Sequence, residues 1–145
     1  MGLKDEAWRL EAAAYPRHLT LFPRYGDMDV NAHLNNVAIA RLFEETRVQT
    51  LSTLRGTPVG GGDPSSMMIV HVGIDYLLEG AYPDPIDAGL AVTDIGRTSF
   101  RLGLALFQAG RAIALADCAM VNLKDRRPGE IDGELRTALE GLRHG

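Results

Sequence analysis

Between residues 35 and 54 the apolar side chains of Val37, Ile39, Ala40, Phe43, Val48, Leu51 and Leu54 recur at helical spacing and fall on one broad face. That pattern predicts a helix of about five turns. No proline interrupts it, and Asn35 stands where a carboxamide can accept an orphan N–H of the first turn, so it is the expected N-cap. Glu44 and Arg47 intrude into the apolar arc three residues apart, and an ion pair that orients the helix is their expected role. The helix-breaking run Gly56-Thr57-Pro58-Val59-Gly60-Gly61-Gly62-Asp63-Pro64 then predicts a flexible connection.

Beyond it the period falls to two. Met68, Val70, Val72, Ile74 and Tyr76 alternate with Ile69, His71, Gly73, Asp75 and Leu77, which predicts a strand with the two sets on opposite faces. Pro83 to Pro85 predict a turn. The runs Leu90 to Ile95, Phe100 to Phe107 and Arg111 to Val121, separated at Gly96 and at Ala109-Gly110, predict successive antiparallel hairpins. A short helix over roughly Asp132 to Leu142 closes the chain, with nothing in it that suggests chemistry. With an apolar strand ahead of Arg24, the order is strand, long helix, then about four longer strands. This is the order of an α+β fold in which a single antiparallel sheet wraps a single helix.

At 145 residues and 46% hydrophobic content the chain can bury one core, and a single domain over residues 1–145 is expected. A net charge of -4, with Lys and Arg scattered, offers no basic stripe to neutralise a nucleic-acid backbone, so nucleic acid is not an expected partner. No segment reads as a secretory signal or reaches the length of a membrane span, which predicts a cytoplasmic protein with no membrane attachment. Cys118 is the only cysteine and lies in the apolar run Ala112 to Val121, where a buried structural thiol is expected rather than a nucleophile.

The chemistry is concentrated just ahead of the long helix. Asp27-Met28-Asp29-Val30-Asn31-Ala32-His33-Leu34-Asn35-Asn36 holds two carboxylates, an imidazole and three carboxamides in ten residues. Its opening resembles a calcium-binding loop, but the sixth position is Ala32 instead of glycine and the twelfth is Ala38 instead of a bidentate Glu. His33 is the only imidazole in the region and no cysteine is near, so no metal is expected. Asp27, Asp29 and Asn35 could each simply satisfy backbone amides at a turn and a helix start. One cap needs only one such side chain, however. A carboxylate beside the free N–H groups and positive dipole end of a helix can instead act as base or nucleophile on a carbonyl whose developing anion those N–H groups stabilise.

Asp29-Val30-Asn31-Ala32-His33-Leu34-Asn35-Asn36 resembles the Asp-x-Asn-x-His-x-Asn-Asn loop of the plant acyl-carrier-protein thioesterases, and it is similar to the Asp-x-Asp-x-x-x-His-x-Asn-Asn loop of the 4-hydroxybenzoyl-CoA thioesterase-like group. Both belong to the hotdog-fold thioesterases. The likeness extends to Phe43-Glu44-Glu45-Thr46-Arg47 and to Gly96-Arg97-Thr98-Ser99-Phe100, and covers roughly Thr20 to Asp125. Ala32 departs from the glycine frequent in the CoA-type loop. The resemblance implies an antiparallel sheet curled round one helix, a homodimer or homotetramer, and active sites at the subunit interface. It implies that Asp29 is the catalytic carboxylate, that the N–H of Asn36 polarises the thioester carbonyl, and that Asn31 and His33 position water or substrate, while Asp27 shapes the loop. Arg97 and Ser99 become candidate substrate-binding residues; Arg97, Lys124, Arg126 and Arg127 could meet the phosphates of coenzyme A or could equally be solvated surface charges.

The expected reaction is hydrolysis of an acyl-CoA or acyl-ACP thioester, with no cofactor beyond the thiol carrier of the substrate. An enoyl-thioester hydratase ranks lower, because its motif sets the His five residues beyond the Asp after a proline, whereas His33 is four beyond Asp29 and the proline is absent. A non-catalytic acyl-thioester-binding module is the alternative of a different class.

Overall fold

The computed structural model describes residues 2–55 and 66–145; the connection expected at Gly56 to Pro64 lies outside them. The described chain forms β1 (Arg17–Leu21), α1 (Asn36–Arg55), β2 (Met67–Tyr76), β3 (Ile86–Ile95), β4 (Ser99–Gln108), β5 (Arg111–Lys124), β6 (Arg127–Pro128) and α2 (Gly133–Glu140). The strands make one antiparallel sheet in the order β1-β3-β4-β5-β2, with β6 paired to β5. This is the hotdog-like arrangement expected: a curled sheet around one long helix.

The inner face of the sheet carries Ile86, Ala88, Leu90 and Val92 of β3, Phe100, Leu102, Leu104 and Leu106 of β4, and Ala116, Cys118 and Met120 of β5, all buried. Ile39, Phe43 and Leu51 of α1 pack against them. The helix face differs from the expected arc, because Val37 is 60% and Val48 39% exposed and Ala40 is also exposed. Thr46 and Thr50 take the buried positions instead. Their hydroxyls donate back to the carbonyls of Leu42 and Thr46, both at 2.8 Å, which removes the cost of burying them. α2 begins at the N-cap Asp132, whose carboxylate accepts from the Leu135 N–H at 2.8 Å, and buries Leu135 and Leu139 beside α1 and β3.

The alternation expected along β2 is interrupted. Ile69 pairs with Met120 and Val72 with Cys118, so three steps on β2 match two on β5 and a bulge falls at Val70. As a result Met67 and Ile69 share the inner face with Val72, Ile74 and Tyr76. Period-two spacing cannot show an inserted residue, and the face assignment on one side of Val70 therefore inverts.

The outer face is closed by a segment that has no hydrophobic period. Residues 3–14 run as three short 3-10 turns and bring Leu3, Trp8, Ala12 and Tyr15 over Ala91, Ala105, Phe107 and Leu115. Two glycines let this segment approach. A Cβ at Gly103 would stand 2.8 Å from Arg9 Nη1, and one at Gly89 2.8 Å from Tyr15 Cγ. The chain ends meet there: the Trp8 and His144 rings stack at 3.9 Å, and the Gly145 N–H donates to the Ala14 carbonyl at 3.0 Å.

Phe43 fastens α1 into the sheet. Phe43→Ala is expected to lower unfolding free energy by about 3–5 kcal/mol through lost burial and a cavity. Denaturant unfolding at fixed protein concentration measures this, and a loss under about 1 kcal/mol would contradict the packing described.

Candidate active site

The chain between β1 and α1 is held in shape by its own polar side chains. Asp27 Oδ2 accepts from the Arg24 N–H at 2.7 Å and closes the 3-10 turn Tyr25–Asp27, while the Asp27 carbonyl accepts from the Asn35 N–H at 2.9 Å. Asp29 Oδ1 accepts from the N–H groups of Asn31 at 2.8 Å and His33 at 3.2 Å. Asn35 caps α1 as expected, accepting from the Ala38 N–H at 2.7 Å. Ala32 sits at φ 63, the left-handed region that glycine occupies without strain, so the alanine follows the backbone path that a glycine would take. Each of the three capping side chains thus has a backbone task.

Those tasks leave three groups over. Asp29 Oδ2 takes no hydrogen bond among the described residues, and the N–H groups of Asn36 and Val37 find no acceptor there. Asp29 and Asn36 both border two hollows. One, of about 260 Å³, is floored by Leu34, Ile39 and Ile113 and walled by Tyr76 and Glu79; the other, of about 320 Å³, lies toward Val37 and Arg41. The Tyr76 hydroxyl reaches the Asn36 carbonyl at 3.5 Å. His33 also borders the first hollow, and its Nε2 meets Glu79 Oε2 at 3.1 Å.

The segment after β2 is tied to this loop. The Leu34 N–H donates to the Gly80 carbonyl at 3.0 Å, and His33 and Ala81 form an isolated bridge. Beneath it, Gln108 Oε1 accepts from the Ala81 N–H at 2.9 Å, and Nε2 donates to the carbonyls of Ala81 at 2.8 Å and Asp84 at 3.1 Å.

The structure therefore brings Asp29, His33 and Asn36 to one cleft. Asn31 is exposed beside it and does not border either hollow. Arg97 and Ser99 lie at the other end of the sheet: Ser99 opens β4 and Gln108 closes it, which at about 3.3 Å per residue separates the two ends by roughly 30 Å. Arg97 is 74% exposed and meets Glu130 at 3.5 Å. Lys124, Arg126 and Arg127 are exposed on the neighbouring β5–β6 hairpin, and Glu44 and Arg47 approach to 3.9 Å. Tyr76, whose packing against the helix the sequence offers as one determinant of pocket depth, does line the first hollow, whereas Glu79 and Gln108 were not singled out by the sequence. A carboxamide straight after the apolar run Phe100 to Phe107 was the available signal for Gln108, and it reads as an ordinary turn residue.

Among the described residues no group of three His, Cys, Asp or Glu side chains is placed to hold a metal ion, and no helix is long and apolar enough to cross a membrane. Cys118 is buried on the inner face, and burial pushes its thiol up to about 11.

A family model described as the thioesterase-like superfamily matches residues 23–139. No curated protein matches the chain. Among solved structures, the PA5185 protein of Pseudomonas aeruginosa is 29% identical, with a TM-score of 0.80 over 92% of this chain and 96% of that one. A thioesterase of Thermus thermophilus complexed with coenzyme A and zinc is 20% identical, with a TM-score of 0.77 over 89% and 95%. The BH1999 gentisyl-coenzyme A thioesterase is 17% identical, with a TM-score of 0.74 over 85% and 99%.

Two outcomes follow from the local chemistry. Asp29→Ala removes the acceptor of two loop amides and is expected to lower stability by about 1 kcal/mol, whereas Asp29→Asn keeps an oxygen there and should melt close to the parent. Equal losses for both variants would contradict the loop geometry. The raised pKa leaves only about one Cys118 thiol in a thousand ionised at pH 8. A disulfide reagent should therefore label it slowly in the folded protein and fully in denaturant, and rapid labelling without denaturant would contradict its burial.

Proposed function

The chain belongs to the thioesterase-like superfamily, and we propose that it hydrolyses an acyl-CoA thioester at the Asp29 cleft. The observation that carries this reading is the set of groups left over by the loop. A free carboxylate oxygen stands on the rim of a partly apolar hollow beside unpartnered N–H groups at the start of α1. The thioester carbonyl oxygen would accept from the Asn36 N–H, where the helix end stabilises the negative charge that develops on it. Asp29 would take a proton from the attacking water, or attack the carbonyl itself and be released by water. Either route adds one water, breaks the C–S bond and delivers a proton to the departing thiolate. His33 and Asn31 would place the water or the thioester, with Glu79 holding the His33 ring. No further cofactor is required.

Coenzyme A as the carrier is supported by the relatives that bind or act on CoA compounds. The single domain over residues 1–145 would work as a homodimer or a pair of dimers. β2 is a ten-residue edge strand with Met68, Val70 and Val72 exposed, a poor surface to leave open to water. Antiparallel pairing of two β2 strands about a two-fold axis would set the Tyr76 end of one protomer beside the Met67 end of its partner. That arrangement would bring the partner's end containing Arg97, Ser99 and Lys124 toward this protomer's Asp29, which gives those residues the carrier-binding role they cannot serve within one chain.

Asp29→Asn is expected to reduce kcat by a factor of about a hundred or more while the melting curve stays in place. Thiol release over a panel of acyl-CoA esters varied in chain length and aromaticity provides the assay. Near-normal turnover by the folded variant would overturn the mechanism, and no cleavage of any ester by the parent would favour a binding module instead. Light scattering should return a mass of two or four chains; an active monomer would exclude the shared site.

A further inference from the structure

Gln108 is a buried polar side chain at the end of a strand whose other inward positions are Phe100, Leu102, Leu104 and Leu106. Its carboxamide is used three times, all on the backbone of the turn after β2: it takes the Ala81 N–H and gives to the carbonyls of Ala81 and Asp84. A single orientation of the amide satisfies this set, because the reverse would set its oxygen against two carbonyls.

A second tie fixes the same segment from its other end. β5 carries an extra residue at Ile113, since Leu106 pairs with Ala114 and Phe107 with Ala112. The Ile113 carbonyl is thereby free to accept from both Leu77 and Leu78, at 2.9 and 3.1 Å. Residues 77–84 are thus held at both ends by the β4–β5 hairpin. Between the two ties, Gly80 accepts from Leu34 and Ala81 bridges His33. Contact there is close, because a Cβ at Gly80 would lie 2.8 Å from Leu34 Cδ1. The Asp29 loop consequently contacts a strip that Gln108 and Ile113 hold from its two ends.

We propose that Gln108 is a positioning residue of the thioester site: it fixes the Gly80–Ala81 backbone, and through Leu34 and His33 the aim of Asp29 and of the α1 start. This rests on the hydrolytic reading above. Gln108 itself touches no reacting atom. Its effect should therefore fall on the geometry of the chemical step more than on capture of the thioester.

The test pairs kinetics with hydrogen exchange for two variants. Gln108→Leu removes all three bonds, and Gln108→Glu keeps an acceptor for the Ala81 N–H but turns an oxygen toward the two carbonyls, so it serves if the leucine variant does not fold. Per folded molecule, kcat for the best acyl-CoA ester is expected to fall about ten-fold or more, with KM changed by less than about three-fold. Exchange should quicken in peptides covering residues 29–36 and 79–84 and stay unchanged over α2. A normal kcat per folded molecule, or unchanged exchange at 29–36, overturns the proposal. If the parent cleaves no thioester, the hydrolytic reading fails by itself, and the exchange result alone decides whether Gln108 sets the loop.

Discussion

The start of α1 governs this molecule. A helix leaves its first amides without partners, and a chain that buries such a helix must satisfy them or expose them to something. Here Asn35 satisfies one, and the loop is folded so that Asn36 and Val37 face outward beside Asp29. The location of that opening is not free to drift, because Ile39 and Phe43, one and two turns along, are locked among the leucines of β3 and β4. Packing in the core therefore sets the position of the polar end at the surface.

Cap and catalyst are not exclusive roles for Asp29, because the proposed reaction would use the oxygen that the turn leaves over. Oδ1 closes the turn by accepting two amides, which also fixes the direction of Oδ2. A carboxylate anchored by one oxygen loses rotational freedom and presents the other in a defined place, the kind of preorganisation that catalysis by a positioned group requires. The strip at Gly80 and Ala81 supports the loop from below, and the hairpin ending at Gln108 supports the strip.

Much of the fold was legible because periodic burial leaves a periodic sequence. The helix from Asn35, the β3, β4 and β5 hairpins and the capped α2 all follow from spacing and turn residues. What spacing could not carry were departures from period: the Val70 bulge, the exposed valines of α1 with Thr46 and Thr50 buried in their stead, and the aperiodic 3-10 segment over the outer face. The site shows the same division. Asp29, His33 and Asn36 announced themselves because they are crowded into one loop. Tyr76 and Glu79 come to that loop from 40 or more residues away, Gln108 meets only the Ala81–Asp84 turn beside it, and only the sheet's pairing brings them there.

In the proposed reaction a thioester carbonyl is received by the Asn36 N–H next to Asp29. Amide resonances of isotope-labelled protein, followed while a non-hydrolysable ketone analogue of an acyl-CoA is added, test it most directly. Saturable shifts are expected at Asn36, with Asp29 and His33 moving in step and α2 unaffected. Saturable binding that leaves the Asn36 amide unchanged would contradict it.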